Sequence, residues 1–538
     1  MISARRTLPI VFVIVGWQCL LAANTIHVSV DSPSASQRLG GTKANPFRTI
    51  ARALDVAKPG DVILVEKGDY RQEDSGWGLG VIPVRLSGTA EAPIMLRGSD
   101  GKQRPMVHSF ALEDCRWIHV SGFTLENPGY KAPAGWQKMP RMVVDRPEQK
   151  IDSLVDWPER EPLVSRKYKS YFSLRKSLEY VIGFDLLRCR NIKVSDNRIH
   201  GYWAGIQCRG SSEITIEANH IEACVNGIYS WQPAPALVDA TIVRNNITQC
   251  LENGIDIREG SRSVLVQDNT ITHSGLSHIT FINGVSNSTI RGNRALYGGY
   301  YSETMAYPGS SAVNVHTSKG GITVEGNLAG FQVDPSGIDG NGFIMDLMQD
   351  GHGVLIKNNI AYRNAGAGLN TTISPNCVIV NNAFVENGFE ATALRRGAGI
   401  RLSRDNDTNQ TIVNNMFVDN RFSGILRYKL IAKQKYVNHN LYFSTSPSEQ
   451  LNLIWDGYDK GERTFTSLAE IRRKTKWESN GVEAAPGFRD VSKLDFRPKA
   501  KSAPINAGQD VKEVRKDATG KVRLHPYDIG PFEYRSPN

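Results

Sequence analysis

Short stretches of alternating apolar and polar residues recur through the middle of the chain, and each ends on asparagine. In the first clear example, Ile192 to Asn197 reads IKVSDN. Alternation with a period of two predicts β-strands with one buried face. Because one short coil of strands cannot bury its apolar face alone, the repetition predicts a solenoid of about ten or more stacked β-coils. The closing asparagines lie at 197, 219, 245, 269, 293, 327, 359, 382, 415 and 440.

The repeated asparagine has an expected structural role. Asparagine tolerates the left-handed turn conformation, and its amide can hydrogen-bond to the asparagine stacked one coil away. We therefore predict a buried asparagine ladder. The intervals from 293 to 327, 327 to 359 and 382 to 415 are the longest, which predicts extra loops on those coils.

A second alternating strand follows a glycine in most coils, for example Gly254-Ile255-Asp256-Ile257-Arg258. Its apolar members are predicted to point inward, and they include Phe343, Met345 and Leu347. The residues between them form two predicted outward columns, and adjacent coils lie about 4.8 Å apart. One column is Gln207, Tyr229, Asp256, Thr280, Asn314, Ile344, Asn370 and Arg401. The other is Arg209, Trp231, Arg258, His316, Asp346, Thr372 and Ser403.

The two ends of the chain lack the repeat. Residues 24–126 are predicted to form an N-terminal cap and the first coils, with a short amphipathic helix at 51–57 over the open end. Residues 127–180 form an aromatic and basic insertion, the coils with the groove span 181–445, and residues 446–538 form a C-terminal capping region. A short helix is predicted to start at Ser467 in that region, which is expected to cover the last coil.

The N-terminal residues carry a family resemblance. Asn45-Pro46-Phe47, Lys58-Pro59-Gly60-Asp61 and Gly68-Asp69-Tyr70 resemble the opening of secreted right-handed parallel β-helix proteins of the pectate-lyase-like superfamily. The resemblance implies an all-β, three-sheet parallel β-helix and a carbohydrate-active protein with its groove on the third sheet. It does not imply one reaction, because that superfamily holds lyases, hydrolases, epimerases and non-catalytic adhesins.

Composition and charge indicate an exported protein. Residues 1–23 read as a signal peptide, with Arg5 and Arg6 before an apolar run that is shorter than a membrane span. Their removal takes two arginines and no acid, so the net charge of +10 falls to +8. A secreted or periplasmic basic protein suits a polysaccharide partner, which its charge allows to be anionic, and not nucleic acid. A monomer is expected, and the remaining six cysteines are expected as buried thiols.

The densest group of acids predicts the reaction centre. Asp339, Asp346 and Asp350 fall within twelve residues, and glycoside hydrolysis uses two carboxyls about 5–10 Å apart. The prediction is that Asp346 acts with Asp339 or Asp350, although Asp339-Gly340 and Asp350-Gly351 also fit ordinary turns. Predicted substrate-binding residues are His316, Arg401, Asp256, Arg258, Asn314, Trp231, Tyr301 and Glu303.

The same residues are also compatible with two other functions. A polysaccharide lyase would use Arg258 or Arg401 with Tyr301 or His316 as the base, and a carboxylate cluster could bind Ca²⁺, although no cofactor is certain. The third possibility is a glycan-binding or surface-attachment protein, which needs the groove and no pair of acids. None of the lyase motifs of the superfamily matches residue by residue.

Overall fold

The computed structural model describes most of the chain, and the predicted signal peptide and most of the aromatic insertion lie outside the described residues. The described ranges are 24–36, 38, 40–73, 80–99, 103–131, 175–178, 180–301, 309–334, 336–348, 351–388, 397–427, 434–445, 452–456 and 463–536.

The described part folds into three long sheets whose strands pair in parallel between successive coils. The first sheet contains Thr25–Val28, Val62–Val65, Ile94–Gly98, Arg116–Ser121, Arg190–Ser195, Ser211–Glu217, Leu237–Val243, Arg262–Gln267, Thr289–Arg291, Thr323–Glu325, Leu355–Lys357, Val378–Val380, Thr411–Val413 and Tyr436–Asn438. The second sheet contains Met106–Val107, Thr124–Glu126, Arg198–His200, His220–Glu222, Asn246–Thr248, Thr270–Thr272, Arg294–Gly298, Leu328–Gln332, Ile360–Tyr362, Ala383–Val385, Met416–Val418, Leu441–Phe443 and Val482–Glu483.

The third sheet, here called the groove sheet, carries the two predicted columns. It contains Val81–Val84, Ser109–Glu113, Ile182–Leu187, Ala204–Arg209, Asn226–Trp231, Ile255–Ile257, Ile279–Ile282, Val313–His316, Phe343–Asp346, Leu369–Thr372, Ala398–Leu402, Ser423–Arg427, Asn452–Asp456 and Arg463–Phe465. Only its last pair is antiparallel. The solenoid predicted from the alternation and the three parallel sheets implied by the family resemblance are therefore both confirmed.

The core is a continuous stack of inward apolar side chains, and Ile255, Phe343 and Met345 are fully buried in it as predicted. The prediction for Leu347 is wrong. Its strand ends at Asp346, and Leu347 has a left-handed backbone (φ 51°) and an exposed side chain. The left-handed residue breaks the alternation, and Met348 is the next buried apolar side chain.

The asparagine ladder is present at every predicted position from Asn197 to Asn440, and all ten side chains are buried. After Asn197, each side-chain oxygen accepts from the backbone N–H and the amide of the preceding ladder asparagine, as Asn293 does from Asn269 at 2.9 and 3.0 Å. The predicted left-handed conformation, however, belongs to the residue before each asparagine, for example Ala218 and Asp268. The asparagine is therefore required for its hydrogen bonds and not for its backbone geometry.

A second, shorter asparagine ladder lies five residues further along each of three coils. Asn364 donates to the side-chain oxygen of Asn387, which donates to that of Asn420. Gln332 occupies the equivalent position one coil earlier and donates its backbone N–H to Asn364. This ladder ties together the turns that lead from the second sheet towards the groove sheet.

Both predicted helices are observed near the ends of the solenoid. The first, Ile50–Val56, starts at the N-cap Thr49, and the second, Leu468–Lys474, starts at the predicted Ser467. Beyond it, the buried Glu478 accepts hydrogen bonds from Asn440, the last member of the longer ladder, and from Tyr442. The carboxylate thus satisfies donors that have no further coil to bond to.

The C-terminal region covers more than the last coil. A segment that includes the strands Phe488–Asp490 and Asp495–Pro498 and the 3-10 helix Val491–Lys493 continues back along the solenoid flank. Its backbone accepts hydrogen bonds from Asn358, Asn381, Asn414 and His439, and Phe496 packs on Tyr362. We call residues 484–536 the flanking tail.

The six cysteines of the described chain are buried and unbridged, which confirms the prediction for them. Within the described residues, no helix is long and apolar enough to cross a membrane.

Candidate functional site

The strand register confirms both outward columns across the middle coils of the groove sheet. Tyr229 pairs with Asp256, which pairs with Thr280, and the same column continues to Arg401. In the other column, Ile282 pairs with His316, His316 with Asp346, and Asp346 with Thr372. Each step moves one coil along the stack, so these side chains form two parallel rows.

A cavity of about 560 Å³ opens on this face, in the part of the solenoid with the long connections. It brings together charged and polar residues from six coils. Its lining residues include Arg258, Asn314, His316, Asp339, Asp346, Asn370, Arg401 and Arg404. The outward columns are more covered than the strand pattern alone indicates, since Asp256, Thr280 and Asn370 are buried.

Asp346 is a carboxyl at this cavity with strongly perturbed acidity. Burial raises its pKa from the usual 3.8 to about 6, and the charge of Asp407 adds to that effect. Arg404 and the Leu347 N–H act in the opposite direction. Its Oδ1 is buried and has no hydrogen-bond partner among the described residues. An ionised carboxylate is costly in such a place, so the side chain retains its proton in mildly acidic solution.

Asp407 and Arg404 lie in the turn after the groove strand Ala398–Leu402. Asp407 is buried and accepts from the backbone N–H groups of Ser374 and Arg404, both at 2.8 Å. Burial raises the pKa of Asp407 as well. The charges of these two residues therefore act on the pKa of Asp346. Neither residue was selected in the sequence analysis. The polar run from Arg401 to Asp407, directly after a predicted groove strand, was the available signal.

Asp339 approaches the same cavity from the connection before the strand Phe343–Asp346. Its Oδ1 accepts from the amide of Asn341 at 3.3 Å, and its backbone N–H donates to Asp334. The following Gly340 is left-handed (φ 76°), so the predicted Asp-Gly turn is present. Asp339 therefore belongs to this turn and also lines the cavity, because the turn directs the chain back into the groove strand.

His316 lies beside Asp346, with 3.7 Å between its Nε2 and the Oδ2 of Asp346. Burial lowers the pKa of His316 below 6.5, so the imidazole is neutral at pH 7 and can accept a proton. Its Nδ1 is 3.0 Å from the Thr317 hydroxyl, which holds the ring in place. Among the described residues, the buried Asn314 Oδ1 and Arg401 Nε have no hydrogen-bond partners, which leaves both groups available to a ligand.

Arg258 and Asp256 form a fixed pair on the coils towards the N-terminal end of the cavity. The guanidinium donates to both carboxylate oxygens at 2.8 and 2.6 Å, and Asn253 also donates to Asp256. Arg258 lies 5.5 Å from the Tyr229 ring centroid, and Tyr229 stacks on Trp231 at 5.7 Å and 16°. Trp231 is 38% exposed. The structure therefore joins Asp256, Arg258 and Trp231, three of the predicted binding residues, in one assembly.

The remaining predicted site residues have different placements. Tyr301 packs against the apolar cluster of Leu178, Val225 and Leu251 and does not line the cavity. Glu303 and Asp350 lie outside the described residues. Within the described ranges, no group of three or more histidine, cysteine or acidic side chains is arranged to hold a metal ion. The Ca²⁺ prediction thus gains no ligand set from the residues described.

Comparison with known proteins identifies the architecture. The model for a right handed beta helix region matches residues 181–295 and 236–430, and a model described as protein of unknown function (DUF1565) matches residues 35–83. The uncharacterized protein YwoF of Bacillus subtilis (strain 168) is 28% identical over 102 residues, which are 19% of this chain and 17% of that protein.

Two solved structures illustrate the range of similar folds. Pectate lyase Pel9A is 14% identical, with a TM-score of 0.43 and coverage of 96% of this chain and 98% of its own. The GH87 alpha-1,3-glucanase catalytic unit of Streptomyces thermodiastaticus strain HF3-3 is 12% identical, with a TM-score of 0.42 and coverage of 86% and 69%. The chain is a right-handed parallel β-helix protein, and its resemblance to the pectate-lyase-like superfamily holds at the level of the fold.

Proposed function

We propose that the protein is a glycan-cleaving enzyme, a glycoside hydrolase in which Asp346 is the general acid and Asp339 the second carboxyl. The observation that carries this proposal is Asp346 itself. It is a carboxyl at a polar cavity, and its pKa is raised to about 6 by burial. Hydrolysis of a glycosidic bond requires one carboxyl that keeps its proton at the working pH and one that is ionised.

The arrangement around the two acids supports these roles. Asp346 ends a rigid strand, whereas Asp339 precedes that strand, so the two approach the cavity from different sides. Asp339 accepts from Asn341, and a hydrogen bond from an amide favours the ionised form of a carboxyl. Asn314, Asn370 and Arg401 on neighbouring coils offer amide and guanidinium groups to sugar hydroxyls.

A polysaccharide lyase is the second candidate, because His316 is neutral at pH 7 and shares the cavity with Arg401 and Arg404. In that reaction the imidazole Nε2 removes the proton beside a uronate carboxylate. An arginine balances the carboxylate charge, and the C–O bond to the leaving sugar breaks as the double bond forms. Asp346 would then lie beside the base and would not be the acid that cleaves the bond.

The deciding experiment exposes the full-length protein to a panel of neutral and uronate polysaccharides. New reducing ends without ultraviolet absorption indicate hydrolysis, whereas an absorbing unsaturated uronate indicates elimination. Asp346→Asn and Asp339→Asn should each reduce hydrolysis at least about a hundredfold. The matched control is Asp268→Asn, an exposed left-handed aspartate on the turn between the other two sheets.

The outcomes separate the functions. Full activity of Asp346→Asn on every cleaved glycan would show that the hydrolase assignment is wrong. Ultraviolet-absorbing products that disappear in His316→Ala would establish the lyase. Binding to a glycan of the panel without cleavage would identify a non-catalytic glycan-binding protein.

A further inference from the structure

The aromatic assembly at the N-terminal side of the cavity takes no part in the two reactions proposed above, although its Arg258 lines the cavity. It consists of Trp231, Tyr229 and Arg258, and we call it the Trp231 platform. Trp231 is among the few large apolar side chains with substantial exposure in the described residues, and another, Ile338, lines the cavity. Exposed apolar surface is therefore present both at the platform and at the cavity, where a ligand can cover it.

The platform is held rigidly from behind. Asp256 is fully buried and receives two hydrogen bonds from Arg258 and one from Asn253. The two hydrogen bonds to Asp256 fix the Arg258 guanidinium beside the Tyr229 ring, and Tyr229 in turn stacks on Trp231. A pre-positioned aromatic face loses little conformational freedom when a ligand stacks on it.

The charges next to Trp231 are balanced within the protein. Arg258 is paired with Asp256, and on the other side Arg209, which pairs with Trp231 in the strand register, makes two hydrogen bonds to Asp185. Both guanidinium groups thus already face a carboxylate. The carboxylates of Glu252 and Glu259 also act on Tyr229. The platform therefore offers an apolar ring face whose neighbouring guanidinium groups are already paired, which suits the C–H face of an uncharged sugar better than a uronate.

The strand register gives the distance to the reactive acid. Trp231 and Asp346 belong to the same column and are separated by four coil steps. At about 4.8 Å a step, the separation along the stack is about 19 Å. A ligand that contacts both positions is therefore an extended chain of several sugars and not a disaccharide.

We propose that the Trp231 platform is a remote subsite that stacks on an uncharged pyranose of a long glycan chain whose reacting bond lies at Asp346. This inference rests on the proposed function, and it adds to that function a substrate class with neutral sugars at this end and a minimum length of several units.

The test measures binding by full-length protein carrying Asp346→Asn, so that bound glycan is not consumed. The probes are oligosaccharides of neutral hexoses and pentoses, of two to eight or so units, and oligouronates of equal length. In this background, Trp231→Ala should weaken the binding of the long neutral probes on the order of tenfold, and Trp231→Phe should largely restore it. Binding of the short probes should not change.

The matched control is Tyr436→Ala, since Tyr436 is 39% exposed but lies on the first sheet, away from the groove. Binding of the neutral probes should vary little from low salt to about 0.5 M salt, because an uncharged sugar makes no ion pair with the platform. Equal affinity of Trp231→Ala and its parent for every long neutral probe would overturn the inference. A preference for oligouronates that is lost in salt would overturn the neutral class, and failure to bind any neutral probe would overturn the subsite.

Cleavage by the protein with Asp346 intact is measured separately, which distinguishes the two claims. Binding that depends on Trp231, without cleavage of any probe, would retain the subsite and refute the proposed enzyme. Cleavage that depends on Asp346 but not on Trp231 at any probe length would retain the enzyme and refute the subsite.

Discussion

The raised pKa of Asp346 has a consequence for stability that does not depend on knowing the substrate. Burial moves the pKa of this carboxyl from 3.8 to about 6. Between those values the folded protein holds a proton that the unfolded chain has released, so stability falls as the pH rises through this window. Two pKa units at about 1.4 kcal/mol each amount to about 3 kcal/mol, and only 23% of the side chain is exposed to screening solvent.

Asp346→Asn removes this titration, so its stability relative to the wild type should rise by about 3 kcal/mol between about pH 4 and about pH 7. Below about pH 4 and above about pH 7 the difference between the two proteins should be constant. The amide has its own desolvation cost, but that cost does not change with pH. The two proteins should therefore differ in how steeply their stability changes with pH, and this difference reports on the Asp346 carboxyl.

The measurement is urea denaturation followed by tryptophan fluorescence, on both proteins side by side across this pH range. Comparing the two proteins cancels the titrating groups that do not interact with Asp346, and it avoids assuming that a long solenoid unfolds in a single step. Wild-type and Asp346→Asn midpoints that stay parallel throughout the range would refute a raised pKa at Asp346. The general-acid role would then lose its main support.

Three further predictions concern the surroundings of the site and the ladder. Asp407→Asn removes a charge that raises the pKa of Asp346, so the upper limb of the pH–activity profile should move to lower pH, and an unmoved limb would contradict that coupling. Asn293→Ala leaves the donors of Asn269 without their acceptor inside the ladder, and we expect a loss of about 3 kcal/mol in denaturation, whereas a loss below about 0.5 kcal/mol would show that the ladder is dispensable. Burial raises the pKa of Glu478 to about 7, so this carboxyl adds to the fall in wild-type stability as the pH rises from about 4.5 to about 7. Glu478→Gln should show a smaller fall, to which Asp346 still contributes, and equal falls in both proteins would contradict the raised pKa of Glu478.

The sequence predicts repeated structure well, because each repeated residue answers the same physical demand in every coil. The alternation identified the strands, and the asparagines gave the register from Asn197 to Asn440, which in turn placed His316 beside Asp346. The second ladder was also predictable. Asn364, Asn387 and Asn420 follow the same intervals as Asn359, Asn382 and Asn415.

Features that depend on a single coil were not predictable from the pattern. Nothing in the alternation shows that Leu347 takes a left-handed backbone and turns outward, or that Tyr301 packs in an apolar cluster behind the groove. The coupling of Asp407 to Asp346 comes from two turns that meet only after the coils stack. Such contacts depend on loop paths, and loop residues carry no repeated constraint from which those paths could be read.

The flanking tail changes how the solenoid would respond to force. In a simple stack each coil touches only its neighbours, so tension along the axis can peel coils away one at a time. Here the last residues of the chain lie across the flank of coils from Asn358 to His439 and bond to each. Those bonds bear load together, in shear, and we expect these four coils to yield as one mechanical unit. The segment bearing the cavity residues Arg401 and Arg404 lies within that unit.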